Sequence, residues 1–148
     1  MSTSLSARKG AIYGIISHLL IILCGQAIFI LLLFRADLMQ GLNTTFSLQS
    51  NPYAISFYVL LLAGGWVAGA HAAAKIVASP GRFLRTGVMY GLLVAVASLV
   101  YLFGAWCITS GWHAAVISIK EPSILIMVIF LPTWILLAKI MQVKACRG

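Results

Sequence analysis

Few residues in this chain could do chemistry. His18, Cys24, Gln26 and His71 lie inside long apolar runs, and His113 lies outside them. His18 shares a face with Gly14, Ile21 and Gly25, at spacings of four, three and four that return to one side of a helix. His71 shares a face with Gly64, Ala68 and Lys75 by the same rule. Two neutral imidazoles on facing helices could ligate a haem iron or a transition metal, since either needs nitrogen ligands. The alternative is that each histidine donates to a backbone carbonyl, or to Ser17 or Gln26, across a helix interface. No second histidine pair and no carboxylate lies within the apolar runs, and the spacing fits no cofactor motif, so the structural alternative leads. Depth points the same way: counted from Lys9 and Lys75, His18 is roughly 12 Å and His71 roughly 6 Å into the membrane, about one helical turn apart. The reading is therefore a protein with no cofactor, no metal and no catalytic residue. Gln26 reads as interhelical glue. Trp112-His113 reads as an interface anchor, with His113 as a pH sensor or metal ligand the lesser alternative.

Those residues must be positioned by membrane helices. Of 148 residues, 62% are hydrophobic and 8% charged, more hydrocarbon than one water-soluble core of this size can bury. Residues 11–34 run 24 positions without a charge, roughly 36 Å of helix against a hydrocarbon thickness of about 30 Å. The run ends in FRAD rather than in a small-residue cleavage site, so it reads as a retained first span, not a signal peptide. Further spans are expected over about 53–76, 86–108 and 123–143, with Pro132 kinking the last. The expected fold is an all-α integral membrane protein, a single domain of four transmembrane helices. Cys24, Cys107 and Cys146 are odd in number and widely scattered, which suits free packing thiols rather than a disulfide or metal framework.

The segments between spans give the orientation. Residues 35–52 are polar, and the Asn43-Thr44-Thr45 sequon carries little weight. Between the third and fourth spans, Trp112, Ala115, Val116 and Ile119 fall at helical intervals, so a short amphipathic piece should lie at the outer surface. Eight of the ten Lys and Arg residues fall in the amino tail (Arg8, Lys9), the second hairpin (Lys75, Arg82, Arg85) and the carboxyl end (Lys139, Lys144, Arg147). Short cytoplasmic segments carry this excess, so both termini are expected in the cytoplasm. The net charge of +8 is thereby explained without a nucleic-acid partner.

Residues 64–95 carry glycines four apart, Gly65 with Gly69 and Gly87 with Gly91, around a basic turn with Arg82 and Arg85. Such spacing lets helix backbones approach closely in lipid, so this stretch is expected to form a helix-helix seam, with Gly14 and Gly25 as packing positions on the first span. The pattern Gly64-Gly65-Trp66-Val67-Ala68-Gly69, a basic turn, then Gly87 and Gly91, resembles a group of small four-span bacterial membrane proteins of unknown function. The resemblance implies fold and an inner-membrane location, and brings no catalytic residue. The functional expectation is a non-enzymatic accessory, assembly or interaction subunit in the lipid bilayer, forming a homo-oligomer or joining a larger complex through glycine faces. A haem b redox subunit on His18 and His71 and a holin-like pore are the alternatives.

Overall fold

The computed structural model describes residues 5–33 and 51–146. Of the expected loop at 35–52, residues 35–50, with Asp37 and the Asn43 sequon, lie outside the described residues, and Pro52 already belongs to a helix. Every described element is helical: α1 (Ala7–Leu33), α2 (Pro52–Ala78), a 3-10 turn (Pro80–Arg82), α3 (Phe83–Ser110), α4 (Trp112–Ser118) and α5 (Lys120–Cys146). Four of these helical stretches are long and apolar enough to cross a membrane. Hydropathy locates the part of a helix that sits in hydrocarbon, whereas the helix itself runs until something stops it. The helices therefore extend past the apolar runs, and Lys120 begins α5 instead of closing the outer segment.

The stops are local. Asn51 caps α2 through its side-chain oxygen, which accepts from the Tyr53 amide at 3.0 Å, and Pro52 fills the first turn. Ser79, held extended before Pro80, ends that helix. Gly111 ends α3 at φ +82°, a conformation in which a Cβ would be strained. Helix α5 runs unbroken through Pro132.

Glycines set which helices touch. A Cβ on Gly65 would stand 2.9 Å from the Gly14 carbonyl oxygen, and one on Gly69 would stand 3.0 Å from the Gly14 Cα. Reciprocally, a Cβ on Gly10 would meet the Gly69 carbonyl oxygen at 2.5 Å, and one on Gly14 would run into the carbonyl of Gly65. The pairing of Gly10 with Gly69 and Gly14 with Gly65 makes α1 and α2 antiparallel, backbone against backbone. On α3, a Cβ on Gly87 would lie 2.9 Å from both the Trp134 carbonyl oxygen and the Ile135 Cα, and one on Gly91 would lie 3.1 Å from the Trp134 Cβ. Thus α3 pairs with α5.

This corrects one expectation. Residues 64–95 do not form a seam with one another: the first half packs on α1 and the second on α5. Each glycine face is set by its own helix's rotation, and the two are turned to different neighbours although a short hairpin joins the helices. Gly25, expected as a packing position, has no described atom within 4 Å of where its Cβ would stand. Where the pairs meet, Ile76, His18, Trp134 and Met141 are the largest fully buried side chains. Among the described side chains of short α4, Ala115 is buried and Trp112, Val116 and Ile117 are exposed, with Trp112 meeting Phe103 edge-on at 5.2 Å between ring centroids.

The two seams rank the glycines. Substitution of Gly14 or Gly69 by alanine drives a methyl into a backbone carbonyl that cannot rotate away, and should lower thermal stability in detergent by about 1–3 kcal/mol. Gly91→Ala, facing a side-chain carbon, should cost less, and Gly25→Ala or Gly64→Ala should cost nothing measurable. Thermal unfolding that gave all five variants the same midpoint would contradict the packing described here.

Candidate functional site

Two places gather the polar side chains of the spans. The first is the bundle centre. Because Gly65 has no side chain, α2 leaves room for the His18 ring of α1 to lie against its backbone. His18 is fully buried and its Nδ1 donates to the Gly14 carbonyl at 2.8 Å, the same carbonyl that accepts from the Ser17 hydroxyl at 2.9 Å. A carbonyl can only accept, so the Nδ1 proton is fixed and the neutral ring turns an Nε2 lone pair into the core. Phe130 and Trp134 of α5 pack edge-on against the imidazole, at 5.8 and 5.7 Å between centroids. His18 Nε2 and Trp134 Nε1 are both buried without a hydrogen-bond partner among the described residues. One is an acceptor and the other a donor, so the two orphaned nitrogens are complementary in sense. Tyr90 of α3 stacks on the other side of Trp134 at 5.9 Å, which brings residues from three helices to a single indole.

The second place is a groove of about 730 Å³ between α2 and α3, almost wholly apolar, with Gly64, Ala68 and Ala97 among its lining residues. His71 lies on its wall, exposed, and lines the same groove as Tyr90. Lys75 stands beside one end, its ammonium 5.5 Å from the centre of the ring of the lining residue Tyr90 and 3.9 Å from the Met89 sulfur. At the other end the Tyr101 hydroxyl donates to the Tyr53 carbonyl at 3.0 Å and meets the Ser56 hydroxyl, clasping α2 to α3.

The two candidate histidines are therefore not brought together. Gly65, against which His18 lies, and His71 are six residues apart on α2, roughly 120° round its axis. The first faces α1 and the second faces the groove, so a shared iron between His18 and His71 has no geometric basis here. Gln26 bonds the Tyr58 hydroxyl of α2, as interhelical glue would. Among the described residues no group of three His, Cys, Asp or Glu side chains converges. Cys24 and Cys146 are exposed thiols and Cys107 is half-buried, none of them paired. His113 is exposed on α4.

Sequence reasoning missed Gly10, Trp134, Tyr90 and the Tyr101 clasp. Gly10 was visible as a glycine four before Gly14, but it sits in the polar flank that hydropathy sets aside. For Trp134 nothing in the sequence distinguishes a central indole from an interfacial one. No protein-family model, curated protein or solved structure matches the chain, so function has to be read from these two places.

His18→Ala removes a ring packed on three sides and should cost about 2–4 kcal/mol in thermal unfolding. His71→Ala, at an exposed position, should stay within about 0.5 kcal/mol. Nitrogen-15 spectra of labelled histidine should place the His18 proton on Nδ1. A Soret band in protein from haem-replete cells that disappeared in both variants would require a different helix arrangement.

Proposed function

We propose that this chain is a non-enzymatic, multi-pass protein of a bacterial inner membrane, with both termini in the cytoplasm, that serves as an accessory, assembly or interaction subunit. The observation that carries this reading is how the intramembrane polar groups are used. Ser17 and His18 bond the Gly14 carbonyl, Ser98 bonds the Val94 carbonyl at 2.8 Å, Thr133 bonds the Ile129 carbonyl at 2.7 Å, and Gln26 bonds Tyr58. Ser17, His18, Ser98 and Thr133 are satisfied within their own helices and Gln26 joins α1 to α2, whereas a proton relay or ion path would need ionisable groups facing a water-filled cavity.

Orientation has support from charge placement. The antiparallel pairing puts the start of α1 (Arg8, Lys9), the α2–α3 hairpin (Lys75, Arg82, Arg85) and the end of α5 (Lys139, Lys144) at one end of the bundle. Lys139 lies over the Phe83 ring at 4.6 Å, which joins the end of α5 to the start of α3. An excess of this sign faces the cytoplasm in short-looped membrane proteins.

Partner contact is proposed at a different surface from the one the glycine spacing suggested. Gly14, Gly65, Gly69, Gly87 and Gly91 are spent on contacts within the chain. Gly25, half-buried on the His18 face of α1 beside the exposed Cys24, has no described atom within 4 Å of where its Cβ would stand, which leaves a place where the backbone of another helix can come close.

Two measurements check this reading. A reporter active only in the cytoplasm should work when fused after Gly148 or inserted near Gly81, and should fail near Asn43 or Gly111; activity at Asn43 would reverse the orientation. Native mass spectrometry from membranes should give a mass above the 15.9 kDa of one chain, through further copies or a stoichiometric subunit. Gly25→Leu should lower that mass while leaving thermal stability unchanged. A lone chain in every lipid environment would sink the subunit reading, and unitary conductance in a planar bilayer would favour a pore.

A further inference from the structure

The groove between α2 and α3 exists because neither helix is free to close it. Glycine contacts fix α2 on α1 and α3 on α5, and the small residues Gly64, Ala68 and Ala97 leave the space between them unfilled. In a bilayer such a space is not left empty, since its lining would lose dispersion contacts along its whole length. Its dimensions and its ends say what fills it. From Tyr90 to Tyr101 along α3, and from His71 to Phe57 along α2, it runs roughly 16–21 Å. That exceeds the roughly 15 Å of hydrocarbon in one leaflet, so a chain lying in it from the Lys75 end reaches past the midplane. The Tyr101 clasp, made to the first turns of α2, stops it near the end of α2 away from the hairpin, and the Lys75 end opens at the basic side of the bundle.

The open end has the chemistry of an amphiphile's head. The Lys75 ammonium is held over Tyr90, a groove residue, and Arg82 and Arg85 are exposed in the adjoining turn. The sequence has two acids, Asp37 and Glu121, neither of them in α2 or the hairpin, and among the described side chains no carboxylate pairs with Lys75, Arg82 or Arg85. His71 stands one turn deeper, and no described group bonds its imidazole. A helix of a second copy, roughly 10 Å across, would leave most of its circumference outside the groove, whereas a single hydrocarbon chain sinks into it.

We propose that this groove is a binding site for an anionic glycerophospholipid of the leaflet on the basic side. One acyl chain lies along Gly64 and Ala97 as far as the Tyr101 clasp. An ester carbonyl accepts from the His71 imidazole, and Lys75 pairs with the phosphodiester, with Arg82 and Arg85 favouring a net negative head group. The site stands independently of the subunit reading, because it is complete within one chain.

The test uses the full chain, delipidated in detergent and titrated with dioleoylphosphatidylglycerol or dioleoylphosphatidylcholine while Tm and native mass are followed. The anionic lipid should raise Tm by several degrees and remain bound at about one per chain, with the zwitterionic lipid giving a clearly smaller shift. Gly64→Leu places a side chain in open space on the groove floor, so it should fold normally and lose the response to both lipids. Lys75→Gln should abolish the difference between the two lipids, and Lys75→Arg should restore it. Glycerophosphoglycerol, the head group without its chains, should do nothing. Equal shifts from both lipids in the unaltered protein, or a full response in Gly64→Leu, would overturn the proposal. So would a dimer that Gly64→Leu converts to monomer, since the groove would then hold a second copy.

Discussion

The approach of the α1 and α2 backbones at Gly10, Gly14, Gly65 and Gly69 is the constraint from which the rest of the bundle follows. In lipid there is no hydrophobic gain from pressing one apolar helix on another, so association depends on close van der Waals contact and on polar groups that find partners. Four glycines supply the first by removing the Cβ at the closest points of the interface. The same absence of side chains lets carbonyl oxygens face the opposing helix, the setting in which Cα–H···O contacts form. It also makes the space on Gly65 that His18 occupies. The central histidine is thus a consequence of the glycine seam rather than a separate feature.

From there the order of packing is set. His18 presents an imidazole edge to Phe130 and Trp134, which locates α5 against α1, and Trp134 receives Gly87, Gly91 and the Tyr90 ring from α3. The bundle is two glycine-locked pairs joined through a core of aromatic rings. Contact between α2 and α3 is what remains after those pairings are satisfied. The hairpin holds the two helices together at one end and the Tyr101 clasp at the other, with small residues between, so a lateral groove follows from the geometry.

Polar side chains in the spans serve this arrangement. Hydroxyls of Ser17, Ser98 and Thr133 return to carbonyls of their own helices, which keeps them satisfied where no water is available. His18 Nε2 and Trp134 Nε1 are the exceptions, two fully buried ring nitrogens with no hydrogen-bond partner among the described residues. Such a pair is costly in a low-dielectric interior, and it marks the centre as the part of the bundle least tolerant of substitution.

By itself the sequence determined the solvent, the number of spans and the antiparallel course of successive helices. Length, composition and the placement of charge do not depend on which helix touches which. It also carried the glycine spacing, and with it the knowledge that close approaches occur at Gly14, Gly65, Gly69, Gly87 and Gly91. Partner choice was decided only by the tertiary structure. A glycine four from another opens one face of its own helix but does not name the helix that will lie on it, so Gly65 and Gly69 met α1, Gly87 and Gly91 met α5, and Gly25 met no described residue. The two histidines show the same division: spacing put His18 on a protein-facing side of α1 and His71 on the face of Gly64, Ala68 and Lys75, but whether those faces meet depends on helix rotation in the assembled bundle. That rotation sent His18 into the core and His71 to the groove, because the carbonyls at Gly14 and Gly65 allow close packing in one register alone.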